Sequence, residues 1–206
     1  MKKIFLVGIV ALVVMGFAGI MAFRTISAKG EKLSKPGEVS PRAAKSLEQK
    51  KEAIKNAEND PKHKSASRSV ELSEGELESY LLFSLKDEIP AQIDSADVQL
   101  GHDTVALDTQ ITFASNPTGN PVTDALVGGT HNLFLKGKFI AQKSRGKFDL
   151  QEVKVDGIPV PNVLIQALIK KYVIPKYPDV DLNQPFDMPW GIEELKIEPG
   201  KATVVY

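Results

Sequence analysis

Hydrophobic and polar positions divide the chain into three stretches of different character. The run Ile4–Phe23 carries no charge, residues 24–69 are mostly polar, and later apolar positions recur at helical and strand periods. An α-helix of about 20 apolar residues crosses the roughly 30 Å hydrocarbon core of a bilayer. The pattern predicts a transmembrane anchor at 1–23, a basic flexible stalk at 24–69 and a globular head at 70–206.

A cleaved signal peptide is the alternative interpretation of the first stretch. The hydrophobic part of a signal peptide usually spans about 7–15 residues, and Ile26 is a poor residue for a cleavage site after Ala28. We therefore favour an uncleaved, single-pass anchor in the cell membrane. Lys2 and Lys3 favour a cytoplasmic N-terminus, although Arg24 and several lysines follow the run. We expect the head on the extracytoplasmic, periplasmic side.

The polar stretch contains one segment of good helix formers, residues 42–59. Its apolar side chains are only Leu47, Ile54 and scattered alanines. Such a sequence forms a marginal helix unless another element packs against it. We therefore interpret the whole stretch as a tether.

A helix-capping signal marks the start of the head. Ser73 and Glu76 are spaced as a capping box, in which each side chain accepts a hydrogen bond from the backbone of the other residue. Leu72 and Leu77 are placed as a hydrophobic staple across this cap. The helix is expected to end before Pro90.

Strands follow this helix, because apolar and polar residues alternate along two later segments. The first alternation runs through Val105–Phe113 and the second through Leu133–Ala141. A period of two with one polar face is typical of an antiparallel sheet. A shorter strand is predicted near Asp97–Leu100. The strand after Ala141 changes phase near Gln151–Glu152, which predicts a β-bulge there.

A second helix is predicted over about Pro161–Ile174. Its polar residues form one narrow stripe, so most of its circumference is apolar and must be enclosed or face a nonpolar surrounding. Two closing strands, Gly191–Glu198 and Lys201–Tyr206, join through the turn Pro199-Gly200. The order of elements predicts an α+β fold: a curved antiparallel sheet wrapped around the apolar helix, preceded by an N-terminal transmembrane helix.

Charge is divided unevenly along the chain. Residues 1–68 hold 14 Lys and Arg against 6 Asp and Glu, whereas residues 69–206 hold 12 against 20. An acidic head lacks the clustered basic residues that phosphate binding needs, so no nucleic-acid partner is expected. The basic part would lie beside the membrane, where anionic lipid attracts Lys and Arg.

Sequence motifs for catalysis are absent. The chain has no cysteine and three histidines, none of them in a metal-binding, nucleophile or phosphate-loop motif. The segment that begins at Asp179 resembles a calcium loop, but Gln184 and Trp190 stand where glycine and a bidentate glutamate are required. We therefore expect no enzymatic activity, no cofactor and no metal site.

Two segments and the closing hairpin together resemble a known family. They are VELSEGELESYL (Val70–Leu81), the stretch Val153–Pro178 and EELKIEPGKATVVY (Glu193–Tyr206). This layout is similar to bacterial envelope proteins of the YpmS and LmeA types, which resemble half of a tubular lipid-binding (TULIP-like) domain. The resemblance implies a membrane-anchored or secreted domain in which a sheet wrapped around a helix holds an acyl chain.

Two non-catalytic functions remain open at this point. The first is a lipid-binding module, whose apolar helix and inner sheet face hold acyl chains of envelope lipids. The second is a structural or assembly module, whose core is filled by its own side chains and whose surface binds another envelope protein. A lipid groove would be lined by large apolar residues on the inward phase of their elements: Leu81, Leu107, Phe113, Phe139, Leu164, Leu168 and Tyr172.

Overall fold

The computed structural model describes residues 39–57, 68–85, 91–113, 129–168 and 185–206. The helices in these ranges are α1 (Pro41–Ala57), α2 (Glu74–Phe83) and α3 (Asn162–Leu168). The strands are β1 (Ser69–Ser73), β2 (Ala91–Leu100), β3 (Thr104–Phe113), β4 (Gly129–Gln142), β5 (Arg145–Val155), β6 (Ile158–Pro159), β7 (Phe186–Asp187), β8 (Glu194–Glu198) and β9 (Lys201–Val205). A 3₁₀ turn, Pro189–Gly191, lies between β7 and β8.

The described strands form one open antiparallel sheet. Its main path runs β1–β9–β8–β4–β3–β2. Strand β4 is the centre of the sheet, because β3 and β8 pair along one of its edges while β5 pairs along the other. The outer edge of β5 pairs with the short strands β7 and β6 at its two ends. The α+β class and the antiparallel sheet predicted from the sequence are confirmed.

One face of the sheet, here called the inner face, is apolar from strand to strand. The register aligns Val98, Leu107, Leu135 and Val153 in one row across four strands, and all four side chains are buried. Residues that pair directly across strands point to the same side, so each neighbouring row adds to the same face. Further buried side chains of this face are Ala96, Leu100, Ile111, Leu133, Phe139, Ala141, Phe148 and Val155.

Helix α1 corrects the expectation of a flexible stalk. Residues 41–57 form a regular helix with a buried stripe, although the isolated sequence is only marginally helical. Leu47 joins the core cluster on the inner face, while Ile54 and Ala57 enter a second cluster around Val204 and Tyr206. The globular unit therefore includes α1, and the boundary that we predicted at residue 70 is too late.

Helix α2 begins as the sequence predicts. The side chain of Ser73 accepts from the backbone N–H of Glu76 at 3.2 Å, and Glu76 Oε2 accepts from the backbone N–H of Ser73 at 3.0 Å. Leu72 and Leu77, on either side of this cap, are both partly buried against the core. The capping box is thus confirmed, and the helix ends at Phe83, somewhat earlier than expected.

Strand irregularities follow the predicted pattern in part. Gly137 pairs with Leu150 and Lys136 with Glu152, so the register skips Gln151 and confirms the β-bulge. Gly200 has a positive φ of 82° in the turn between β8 and β9, as the sequence predicts. Strand β2 starts at Ala91, six residues before the predicted strand, so the sheet is larger than expected.

The second predicted helix begins near the expected position, since Asn162–Leu168 are helical. The rest of that helix, the anchor Ile4–Phe23 and the stalk before residue 39 lie outside the described residues. None of the helices in the described ranges is long and apolar enough to cross a bilayer.

Candidate functional site

The inner face is the candidate functional site, because it holds residues predicted to line a groove. Leu81 of α2, Leu107 of β3 and Phe139 of β4 are buried and belong to one core cluster. Ile165 of α3 is buried in the same cluster. The structure therefore brings side chains from two helices and the central strands into one apolar region.

The other four residues predicted to line the groove are only partly located. Phe113 is the last residue of β3, and Leu164 and Leu168 belong to α3, but their side chains lie outside the described part of the structure. Tyr172 lies wholly outside it. Their predicted role as lining residues stays a prediction.

Three phenylalanines fill one end of the inner face. The ring centroid of Phe139 lies 6.3 Å from that of Phe148 and 6.2 Å from that of Phe186. Glycines make room for these rings: a Cβ at Gly137 would overlap the Phe148 ring, and one at Gly146 would lie 2.6 Å from the Phe186 ring. This end is close-packed, as protein interiors are.

Two glutamates of α2 cover the outer edge of β2. The backbone N–H of Leu100 donates to Glu74 Oε1 at 2.7 Å, and that of Val98 donates to Glu78 Oε1 at 2.9 Å. Alternate N–H groups of a strand point to the same edge, so two glutamates one helical turn apart reach both. These bonds fix α2 against an edge that would otherwise present unpaired donors.

Glu78 is the unusual group in this contact. Its side chain is 1% exposed, and within the described structure its Oε2 is buried without a hydrogen-bond partner. Burial raises the pKa of Glu78; the Val98 N–H opposes this shift, and the charges of Asp97 and Glu74 add to it. The contact between α2 and β2 therefore favours the neutral acid.

The sequence contains a signal for the burial of Glu78 that our prediction missed. Residues three and four apart share one face of a helix. Glu78 precedes Leu81 and Leu82 by these intervals, so it belongs to the apolar face that meets the sheet. A carboxylate on such a face needs a partner from another element, and here the partner is the edge of β2.

A histidine and an aspartate meet at the opposite end of the inner face from the phenylalanines. His131 Nδ1 lies 2.9 Å from Asp156 Oδ2, and Asp156 Oδ1 accepts from the backbone N–H of Asn132 at 2.9 Å. These bonds hold the turn after β5 against the start of β4. Among the described residues, no group of three or more His, Asp or Glu is arranged to hold a metal ion.

The same end of the molecule carries an exposed apolar segment, Ile158–Val163, which we call the tip. It leads from β6, where Ile158 pairs with Val155, into α3. Ile158 is 42% exposed and Val163 is 73% exposed, whereas Ile165 is buried. Helix α3 therefore presents apolar side chains both to the core and away from it.

The geometry thus offers an apolar face bounded by packed rings at one end and by exposed aliphatic side chains at the other. No protein-family model and no curated protein matches the chain. Its function must be inferred from its own residues and their arrangement.

Proposed function

We propose that the chain is a lipid-binding module of the bacterial envelope, anchored through Ile4–Phe23 with its head on the extracytoplasmic side. The observation that supports this most directly is the start of α3. Ile165 is buried in the core while Val163 is 73% exposed. An apolar side chain so exposed at the rim of an apolar region suits the entrance of a site for a hydrocarbon chain.

In this proposal an acyl chain lies along the inner face, from the tip towards Phe139. The side chains of Leu81 and Leu107 form part of its wall. The packed rings of Phe139, Phe148 and Phe186 close the far end. Binding then depends on removing apolar surface from water, and no charged side chain needs to contact the acyl chain.

An assembly module that binds another envelope protein is the second candidate. The glycines beneath the phenylalanine rings favour it, because they show that part of the inner face is already filled by the chain itself. A face that is close-packed throughout leaves no space for an acyl chain. The binding surface would then lie on the outside of the sheet or along its edges.

Lipid binding can be tested with residues 39–206, which contain every described element. A fluorescent fatty acid is expected to bind this protein, and Leu168→Trp is expected to weaken binding about tenfold by filling the groove. Ile140→Trp, at an exposed position on the other face of the sheet, is the matched control and should bind like the wild type. Native mass spectrometry of the full chain should also detect co-purified lipid.

Two outcomes of this titration would contradict the lipid-binding proposal. Equal binding by the wild type and Leu168→Trp would place the fatty acid elsewhere. Binding by neither protein would leave the assembly module as the better proposal.

A further inference from the structure

We propose that the tip, Ile158–Val163, is a second membrane contact, which rests on the bilayer surface in addition to the anchor predicted at Ile4–Phe23. This inference rests on the proposed function, since it requires the head to work beside a membrane. It adds the orientation of the head: the entrance of the inner face meets the lipid surface. The occupant to which we commit is the bilayer itself.

The sequence of the tip is that of an interfacial segment. Residues 157–169 carry no charged side chain, and Lys170 and Lys171 follow directly. All of the tip except Val160 is exposed. Apolar side chains next to basic residues favour the boundary between lipid headgroups and acyl chains, because burial of apolar surface and attraction to anionic lipid act together.

Another exposed aliphatic residue shows why exposure alone does not define this surface. Ile140 on β4 is 43% exposed, nearly the same as Ile158. It pairs with Lys147 across the sheet, and Lys138 lies two residues away on the same face. Ile140 is thus a single apolar side chain among charges, which is ordinary for a protein surface. The tip combines several apolar side chains without a charge between them.

The direction of α1 places the chain that leads to the anchor on the side of the tip. At the start of α1, the backbone N–H of Ser40 donates to Ser79 Oγ of α2 at 3.0 Å. At its end, Ile54 and Ala57 pack with Val204. The register links Val204 through β8 to Ala141, near the end of β4 that is farther from the tip.

Helix α1 therefore runs away from the tip, and the preceding chain enters from the tip's side. Residues 24–38 connect the predicted anchor to the first described residue. Fifteen residues span at most about 50 Å when extended. This length keeps the head close to the bilayer, and the direction of α1 turns the tip towards it.

Depth-dependent fluorescence quenching on the full chain tests this proposal. Because the chain has no cysteine, Val163→Cys and Ile140→Cys each provide a single site for an environment-sensitive dye. Each labelled protein is reconstituted in vesicles of phosphatidylethanolamine and phosphatidylglycerol that contain a spin-labelled lipid. We expect a blue-shifted emission and several-fold stronger quenching at position 163 than at position 140.

A further substitution tests whether the tip as a whole makes the contact. Ile158→Asp should reduce quenching of the dye at position 163 several-fold, because it places a charge in the interface, whereas Ile140→Asp should leave it unchanged. Equal quenching at positions 163 and 140, whether strong or weak, would overturn the proposal. Quenching confined to 163 would support the tip even when no fatty acid binds, so this result is independent of the acyl-chain site.

Discussion

Helix α2 is held on two sides by carboxyl groups that lie two residues apart and behave in opposite ways. Glu76 faces α1, where its Oε1 accepts from Lys50 Nζ and from Ser46 Oγ, both at 2.6 Å. Burial would raise the pKa of Glu76, but the hydrogen bonds from Lys50, Ser46 and Ser73 and the charge of Lys50 together lower it. Glu78 faces the sheet, and there burial raises the pKa.

The difference shows that the number and charge of the partners decide how burial affects a carboxyl group. Glu76 has an ammonium group, a hydroxyl and a backbone N–H, so its ionised form is stabilised. Glu78 has one backbone N–H for two oxygens. Protonation should therefore weaken the contact between α1 and α2 and strengthen the contact between α2 and the sheet.

Removal of α1 is expected to have the largest effect on this comparison. A protein that begins at Arg68 lacks the buried side chains of Leu47 and Ile54. Each truncated aliphatic side chain costs about 2–5 kcal/mol, so the free energy of unfolding should fall by more than about 4 kcal/mol. Trp190, the single tryptophan, packs against the cluster that α1 completes, so its fluorescence can follow unfolding in urea.

The control for this experiment is a protein that begins at residue 39 and so retains α1. It should unfold cooperatively, with a higher urea midpoint than the shorter protein. Equal midpoints for the two proteins would show that α1 contributes nothing to the stability of the globular unit.

Local sequence signals predicted the parts of the fold that neighbouring residues determine. The capping box at Ser73 and Glu76 and the bulge at Gln151 each depend on a few adjacent positions, and both are confirmed. The docking of α1 could not be predicted in this way. Its partners, such as Tyr80 and Val204, are distant in the sequence, and its own apolar stripe is narrow.

The candidate site was predictable to a similar extent. Leu81, Leu107 and Phe139 follow the period of their elements, so their burial could be inferred from the sequence alone. The edge contact of Glu78 was missed because glutamate is usually exposed and because most of β2 was not recognised. A register shift between Ile93 and Ser95 breaks the alternation of that strand and conceals its first half.

Glu76→Gln is expected to weaken the α1 side of the comparison by about 1–3 kcal/mol at neutral pH, the usual contribution of a hydrogen bond to a charged group. The lowered pKa means that this stability is present above the ordinary value of 4.5 and is lost as pH falls through the folded-state pKa. The wild type and the variant should therefore converge in acid. Urea unfolding followed by Trp190 fluorescence at several pH values measures the difference.

Lys50→Met tests whether the ion pair causes this effect. Lys50 Nζ also donates to the backbone carbonyl of Glu71 at 2.7 Å, so its loss should cost stability as well. In the double variant, the combined loss should be smaller than the sum of the single losses. Simple additivity would mean that Glu76 stabilises α2 mainly through its cap on Ser73.

Glu78→Gln is expected to have the smallest effect and the opposite sign. The amide oxygen can still accept from the Val98 N–H, while the buried charge is removed. The pKa of Glu78 is raised in the folded state, so the wild type is penalised as pH rises from 4.5 through the folded-state pKa. The variant should match the wild type near pH 4.5 and exceed it in stability at higher pH, with a gain that levels off above the folded-state pKa.

Asp97 allows the origin of this gain to be separated into charge and burial. Its charge adds to the rise of the Glu78 pKa, so Asp97→Asn should reduce the gain from Glu78→Gln without abolishing it. The remainder reports the burial of an oxygen that has no partner in the described structure. A stability difference between Glu78→Gln and the wild type that stays constant with pH would contradict the titration of Glu78. The contrast between the two sides of α2 would then reflect hydrogen-bond geometry rather than charge.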